Sequence, residues 1–185
     1  RGRGFYRMHA AMARLTASWV REVDAEAATE VVVPALLRGQ PGTDAAMEAK
    51  LDLHVWATAP VPLDAYLDFT CRHPWASRYR QTAARTPGAT AAAAEKEKVD
   101  RYGAGRGGIC VTPAAVESFG RLGFVFYDFL HSLAQRWAAL HCATPAETTA
   151  VARRWWEEFG ITMARARCCT WSQAVWDRRR PNPAD

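Results

Sequence analysis

Two aspartates lie at matching positions of a predicted hairpin. Residues 51–56 and 63–71 each alternate apolar and polar side chains, so both segments are predicted strands. Pro60, in the turn region between them, is midway between Asp52 and Asp68. A hairpin centred there places the two carboxylates opposite each other on one face, close enough to share a cation.

Opposed carboxylates on a sheet repel each other unless a cation lies between them. Mg²⁺ (or Mn²⁺) suits such a pair, because it takes oxygen ligands from one or two carboxylates and leaves other positions to water and phosphate. An ion held there would activate water and neutralise charge on a phosphodiester. The alternative is that Asp52 and Asp68 lie on the wet face of the hairpin and only make it soluble.

Lys98 is a candidate third member of this site. A helix is predicted over Ala89–Tyr102, where alanine and charged residues dominate. On that helix, one stripe contains Ala91, Ala94, Lys98 and Tyr102, so the lysine has small and aromatic neighbours on a face that could point inward. It could then steady a phosphate or the attacking water. The alternative is an ordinary surface lysine within the charged run 95–98.

The order of these motifs resembles that of the PD-(D/E)xK nucleases. The residues that carry the resemblance are Lys50-Leu51-Asp52, Leu67-Asp68-Phe69-Thr70, Arg72-His73-Pro74 and Lys98-x-x-x-Tyr102. Within that superfamily, the sequence is similar to the restriction-enzyme-like endonuclease domain that follows the reverse transcriptase in some site-specific non-LTR retrotransposons. Residues 117–123 also resemble a segment of related retroelement-derived proteins, so the resemblance extends from Ala46 to Leu130.

The resemblance implies a metal-dependent DNA endonuclease that nicks a DNA strand. Asp52 and Asp68 would be the ligands of Mg²⁺ (or Mn²⁺), and Lys98 the catalytic lysine, supplied from the helix. DNA would be the substrate, with RNA or an upstream reverse transcriptase domain as further partners. The implied fold is α/β, with a restriction-endonuclease-like core of a small mixed sheet flanked by helices. The implied location is intracellular, and nuclear in a eukaryotic cell.

The sequence departs from the family pattern at two positions. Leu51 replaces the proline of the family's Pro-Asp pair, and Thr70 stands where many members carry lysine, so catalysis depends on Lys98 reaching the site. Some members add an acid from the first helix, for which the candidates are Glu22, Glu26, Glu30 and Glu48. Two other functions stay open: a non-catalytic nucleic-acid-binding relic of the fold, and a protein-interaction module.

Around this core, the remaining sequence predicts mainly helices. Apolar spacing of three and four predicts a helix from Phe5 to about Leu37, and a short helix follows at Ala45–Ala49. After the glycine-rich loop at 103–108 come a strand at Ile109–Thr112, a helix at Phe119–Trp137, and a helix that a capping box opens at Thr144 and that reaches Arg167. We divide the chain into an N-terminal helical segment (1–42), a nuclease-like core (43–140) and a basic, Trp-rich helical extension (141–185), together one compact domain.

Composition limits the class of protein. The 185 residues are 49% hydrophobic with net charge +5, which fits a globular protein. Five cysteines without regular spacing favour a reducing compartment, and the chain has no apolar run near the ~20 residues that span a bilayer. Arginines are concentrated in the C-terminal region. They form either a nucleic-acid-binding surface or a solvated helix face. The candidate nucleic-acid contacts are Arg72, Lys96, Arg121, Arg153 and Arg154.

Overall fold

The computed structural model describes residues 3–38, 47–102 and 109–179. In chain order its elements are α1 (Arg3–Glu22), β1 (Glu26–Arg38), β2 (Met47–Ala57), β3 (Leu63–Arg72), α2 (Arg80–Ala83), α3 (Ala89–Tyr102), β4 (Val111–Glu117), α4 (Phe124–His141) and α5 (Pro145–Arg179). The strands form one sheet in the order β1-β2-β3-β4. Among the described helices, none has both the length and the hydropathy that crossing a bilayer requires.

The sheet is mixed, which confirms the predicted fold class of α/β with a small mixed sheet flanked by helices. β1, β2 and β3 are antiparallel neighbours, whereas β4 runs parallel to β3. A parallel pair needs a crossover connection, and α3 lies in the one that joins β3 to β4. In the β2–β3 hairpin, Leu53 pairs with Leu67 and Ala57 with Leu63, so the hairpin is centred on Pro60 as the sequence predicted.

Helices cover both faces of the sheet. The main core lies on the face covered by α1, α4 and α5, where it includes Leu53, Leu67 and Phe69. Each such side chain contributes roughly 1.5–3 kcal/mol when fully buried. α3 covers the opposite face, where its alanines at 91 and 94 pack on Ala115 of β4. This face is the one that positions the candidate site.

A buried arginine joins α4 to two chain segments that lie far from it in sequence. Arg136 is 2% exposed and donates from Nε to the carbonyl of Val23 and from Nη2 to that of Asp24, at 2.8 and 2.9 Å. It also donates to the carbonyls of Ala59 and Val61 in the β2–β3 turn. One guanidinium therefore binds the end of α1 and the hairpin turn to the same helix.

The predicted first helix is wrong after Glu22, because Glu26–Arg38 is strand β1. The sequence holds a signal for the strand: three β-branched valines at 31–33 favour a sheet, and Pro34 lacks the N–H that a helix interior needs. The predicted short helix at Ala45–Ala49 is also wrong for the described residues 47–49, which begin β2. The sheet therefore contains strands from both sides of position 42, the predicted boundary between the N-terminal segment and the core.

The later elements differ from the prediction mainly at their ends. β4 begins two residues after the predicted Ile109 and runs on to Glu117. α4 begins at Phe124, because the preceding loop contains Gly120 in a left-handed conformation (φ 93°) that a helix cannot continue. α5 extends beyond the predicted Arg167 to Arg179. The glycine-rich loop at 103–108 lies outside the described residues.

The predicted capping box at the start of α5 is confirmed. Thr144 Oγ1 accepts the backbone N–H of Glu147 at 3.3 Å, and the Glu147 carboxylate accepts the N–H of Thr144 at 2.8 Å. These hydrogen bonds to Thr144 hold the pKa of Glu147 below its ordinary value. The reciprocal pair satisfies two N–H groups that the first turn of a helix leaves open.

Candidate active site

Asp52 and Asp68 lie side by side where the β2–β3 hairpin opens. β3 alternates, so Leu67 and Phe69 enter the main core while Asp68 points toward α3. Regular pairing of β2 with β3 ends at Leu53–Leu67, immediately before the position where Asp52 would oppose Asp68. There the Asp52 carboxylate accepts the backbone N–H of Phe69 at 2.6 Å. A side chain thus supplies the acceptor for that strand N–H.

The side chains of β2 change from one face of the sheet to the other near Asp52. Leu51 packs with Tyr102 on the α3 side of the sheet, whereas Leu53, two residues later, packs in the main core. In a regular strand these two leucines would share a face. On the neighbouring strand β1, Glu30 has a left-handed φ of 59° between the pairs that flank Asp52. This local irregularity directs the Asp52 carboxylate toward Asp68.

The pKa of Asp52 reflects its burial and its interaction with Asp68. Burial is the largest cause that raises the pKa of Asp52, and the negative charge of Asp68 and a hydrogen bond with its carboxyl add to the rise, so that this pKa is about 6. The N–H of Phe69 and the charge of Lys98 act in the opposite direction. Asp52 and Asp68 thus lie on neighbouring strands and interact with each other, which agrees with the predicted meeting of the two residues. That they hold a cation stays a prediction.

Lys98 and Tyr102 complete the cluster from α3. Both donate to Oδ2 of Asp68, the Tyr102 hydroxyl at 2.6 Å. Burial lowers the pKa of the Lys98 ammonium, although the charge and hydrogen bond of Asp68 oppose that change. The predicted inward stripe is confirmed, and the surface interpretation is wrong for Lys98. It does hold for Lys96, which is 77% exposed and lies 3.4 Å from Asp100.

The first helix contributes a histidine near this site, which sequence reasoning missed. His9 Nδ1 lies 4.0 Å from Oδ2 of Asp52. Of the acids proposed for that role, Glu22 pairs with Arg154, and Glu30 pairs with Lys50 at 2.9 Å. Glu26 is the first residue of β1, and the side chain of Glu48 lies outside the described residues. In the sequence, the apolar neighbours Met8 and Met12 indicate that His9 lies at the border of the buried face of α1. Only the tertiary fold brings Asp52 close to His9.

The candidate nucleic-acid contacts are each engaged with acids. Glu97 accepts hydrogen bonds from Arg72, at 3.0 Å, and from Arg78. Partial burial raises the pKa of Glu97, but Arg72 and Arg78 together hold it below its ordinary value. Arg72 Nε is buried without a hydrogen-bond partner among the described residues. The remaining pairs are Arg121 with Glu117 (3.8 Å), Arg153 with Glu157 (3.0 Å), and Arg154 with Glu22 and Glu158. Arg153 and Arg154 therefore belong to a paired, solvated surface of α5.

No protein-family model matches the sequence, and no curated protein matches it. The cluster contains two carboxyls, one buried ammonium and one phenol, and these groups define its chemistry. Within the described part of the chain, no three His, Cys, Asp or Glu side chains converge as a metal-binding group. Asp52 and Asp68 are the members of the cluster with carboxylate oxygens, the kind of atom that binds a hard cation. Such a pair fits an ion that fills its remaining positions with water or phosphate.

Proposed function

We propose that the protein is a metal-dependent DNA endonuclease that nicks DNA by phosphodiester hydrolysis, built on a restriction-endonuclease-like core. The observation that carries this proposal is the meeting of Asp52, Asp68 and Lys98, three residues far apart in sequence, at one buried point. Tyr102, the last residue of the Lys98-x-x-x-Tyr102 motif, lies on the same carboxylate. A DNA substrate would place the protein inside the cell, and in the nucleus of a eukaryote.

The donor set fits Mg²⁺ (or Mn²⁺). Asp52 and Asp68 are adjacent carboxyls whose mutual repulsion helps to raise the pKa of Asp52 to about 6. A divalent cation relieves that repulsion, and Mg²⁺ is commonly held by one or two carboxylates together with water and substrate phosphates. When bound, the ion would supply an activated water and neutralise charge on the phosphodiester.

The side chains of the cluster have separate tasks in this proposal. The N–H of Phe69 orients the Asp52 carboxylate, and Tyr102 orients that of Asp68. Lys98 supplies a positive charge beside both acids, where little water competes with it. Such a preorganised cation stabilises the negative charge that develops as the phosphodiester is attacked. Partners of the nuclease, namely RNA or an upstream reverse transcriptase domain, belong to the same proposal.

A second candidate function is a nucleic-acid-binding relic without catalysis. The observation that favours it is the pairing of Lys98 and Tyr102 with the same oxygen of Asp68. A buried ion pair of this kind can serve the fold alone. The relic would bind nucleic acid but would not cleave it in the presence of any divalent cation.

Nicking of supercoiled DNA tests the proposal. The purified protein is incubated with the plasmid and Mg²⁺ or Mn²⁺, and nicked circles are measured on a gel. We expect nicking by the wild type, none by Asp68→Asn, and none for either protein in EDTA. Asp100→Asn is the matched control, because that exposed carboxylate of α3 lies outside the cluster and should leave nicking unchanged. A wild type that binds the plasmid without nicking it under any of these conditions would favour the relic.

A further inference from the structure

An open trough lies beside the N-terminal end of α3. Its larger part, of about 720 Å³, lies between the first turn of α3, the loop at 119–123, and residues of α4 and α5. A smaller part, of about 530 Å³, contains Trp75 and Arg80 and shares Pro87, Gly88 and Arg121 with the first. The shared residues make the two parts one continuous surface, which we name the aromatic trough.

Five large rings line the aromatic trough and are exposed to solvent. They are Trp75, Phe119, Phe124, Tyr127 and Trp156, of which Phe124 is 77% and Trp75 74% exposed. So many exposed rings along one surface are unusual, since a soluble protein normally buries such side chains.

Several of these rings are held in place. The Arg167 guanidinium lies 5.1 Å above the Phe119 ring, and the His73 ring contacts the same phenyl edge-on at 5.4 Å. Tyr127 and Trp156 contact each other edge-on at 5.8 Å. Rings fixed in this way are ready to stack with another flat group without losing much conformational entropy.

The accessible charge along the aromatic trough is positive. Among the described residues that line it, the charged ones are Arg80, Arg121 and Glu117. The Glu117 side chain is 8% exposed and lies 3.8 Å from Arg121, whose own side chain is 56% exposed. The buried acid is thus paired, and the two arginines present their charge to solvent.

We propose that the aromatic trough binds single-stranded nucleic acid. Its bases stack on the exposed rings, and its phosphates contact Arg80 and Arg121. Exposed rings together with accessible cations favour this polyanion over an apolar peptide, and a duplex keeps its base faces covered by neighbouring pairs. The inference goes beyond cleavage: Ala92 lines the trough six residues before Lys98, about 9 Å away along α3, and none of the trough residues belongs to the Asp52–Asp68 cluster.

Fluorescence anisotropy in EDTA tests this proposal apart from cleavage. The probes are a labelled thymidine oligonucleotide of about 15 nucleotides and a duplex of the same length. The variant Phe124→Ala/Trp156→Ala removes two exposed rings, and we expect it to weaken single-strand binding at least tenfold, since each stacked base contributes about 1–3 kcal/mol. The matched control is Val99→Ala/Ile161→Ala, two exposed apolar residues outside the trough, which should bind as the wild type does.

A second variant, Arg121→Gln, tests the role of charge. It should reduce the slope of log affinity against log salt by the amount expected for about one phosphate contact. Unchanged single-strand binding by the ring variant would overturn the proposal. Equal weakening of single strand and duplex would also overturn it, because it removes the role of stacked bases. Loss of self-association in the ring variant, with no oligonucleotide bound by the wild type, would assign the trough to a second copy of the chain instead.

Discussion

At the scale of single residues, Asp52 combines burial with a neighbouring like charge. The folded protein keeps a proton on Asp52 up to about pH 6, whereas the unfolded chain releases it near 3.8, so the free energy of unfolding falls as pH rises through this window. The fall amounts to about 3 kcal/mol. Asp52→Asn keeps an acceptor for Phe69 and gains a donor toward Asp68. We expect it to stabilise the protein by about 1–3 kcal/mol at about pH 8 and hardly at about pH 4, as measured by urea unfolding.

Magnesium supplies the matched comparison for Asp52→Asn. If Asp52 and Asp68 hold the ion, saturating Mg²⁺ at about pH 8 should raise the Tm of the wild type, because a ligand of the folded state stabilises it. The same addition should leave the Tm of Asp52→Asn nearly unchanged. Equal rises in both proteins would place the ion elsewhere and remove Asp52 from the metal site.

Lys98 should matter for both stability and cleavage. Lys98→Met keeps the length of the side chain but leaves the buried Asp68 carboxylate without its ion pair, so we expect a loss of about 3–5 kcal/mol on urea unfolding. In the nicking assay, at a temperature where the variant is folded, the rate should fall by ~10²-fold. Lys96→Met, with its exposed side chain, is the control for stability and should leave the free energy of unfolding nearly unchanged. Nicking by Lys98→Met at the wild-type rate would exclude Lys98 from catalysis while sparing the metal site.

At the scale of elements, a glutamate of α3 caps the N-terminus of α4. Glu95 accepts the N–H of Val125 at 2.9 Å, and burial raises its pKa, although hydrogen bonds from the first backbone N–H groups of α4 oppose this. A Cβ on Gly123 would lie 2.0 Å from Glu95 Oε1, so the loop needs glycine there for space. We expect Gly123→Ala to displace the carboxylate and to destabilise the protein by about 1–3 kcal/mol on urea unfolding.

A double-mutant cycle isolates that contact. In a Glu95→Ala background, Gly123→Ala should cost much less, because the displaced group is already absent. Gly160→Ala in α5 is the control: no atom lies within 4 Å of its added Cβ, and alanine should stabilise the helix by roughly 0.5–1 kcal/mol. Full additivity of the Glu95 and Gly123 changes would contradict the cap.

Element prediction from the sequence succeeded where local patterns decide the structure. β3 and α3 have the predicted extents to within one residue, because strict alternation and an alanine-rich helix need no tertiary context. β1 was missed because the alanines before it continue the composition of α1, which concealed the valine run. α4 begins five residues later than predicted, because the preceding loop contains Gly120 in a left-handed conformation that the apolar pattern alone does not reveal.

The candidate site was also predictable in part. Matching parity about Pro60 predicted that Asp52 and Asp68 meet, and the helical stripe predicted that Lys98 points inward. Regular pairing of β2 with β3 ends before Asp52, so the turn of β2 there also contributes to the meeting. His9 and the Phe69 N–H could not be derived in that way. Their places depend on how α1 packs across the sheet and on the turn of β2 at Asp52, and both are set by tertiary contacts between distant segments.

At the scale of the whole molecule, Arg136 connects α4 with the end of α1 and the hairpin turn. Arg136→Met keeps apolar volume but leaves buried carbonyl groups without donors, so we expect a loss of about 3–5 kcal/mol in urea unfolding. Arg136→Lys should recover part of that loss, since an ammonium can reach some of the carbonyls but lacks the planar fork. Arg153→Ala, at an exposed ion pair, should change stability by less than about 1 kcal/mol. An equally small effect at Arg136 would mean that the fold does not depend on this junction.

The hydrogen bond from the Phe69 amide to Asp52 gives the folded protein its own spectroscopic probe. An amide proton donated to a carboxylate resonates downfield of one donated to a neutral carboxyl, so the ¹⁵N–¹H signal of Phe69 should move as Asp52 titrates with a midpoint near pH 6. Mg²⁺ bound by Asp52 should shift the same signal and lower its titration midpoint, whereas the Leu63 amide, at the far end of the same strand, should report neither event. A single backbone resonance can thus follow protonation and metal binding in the intact protein, without DNA and without any substitution.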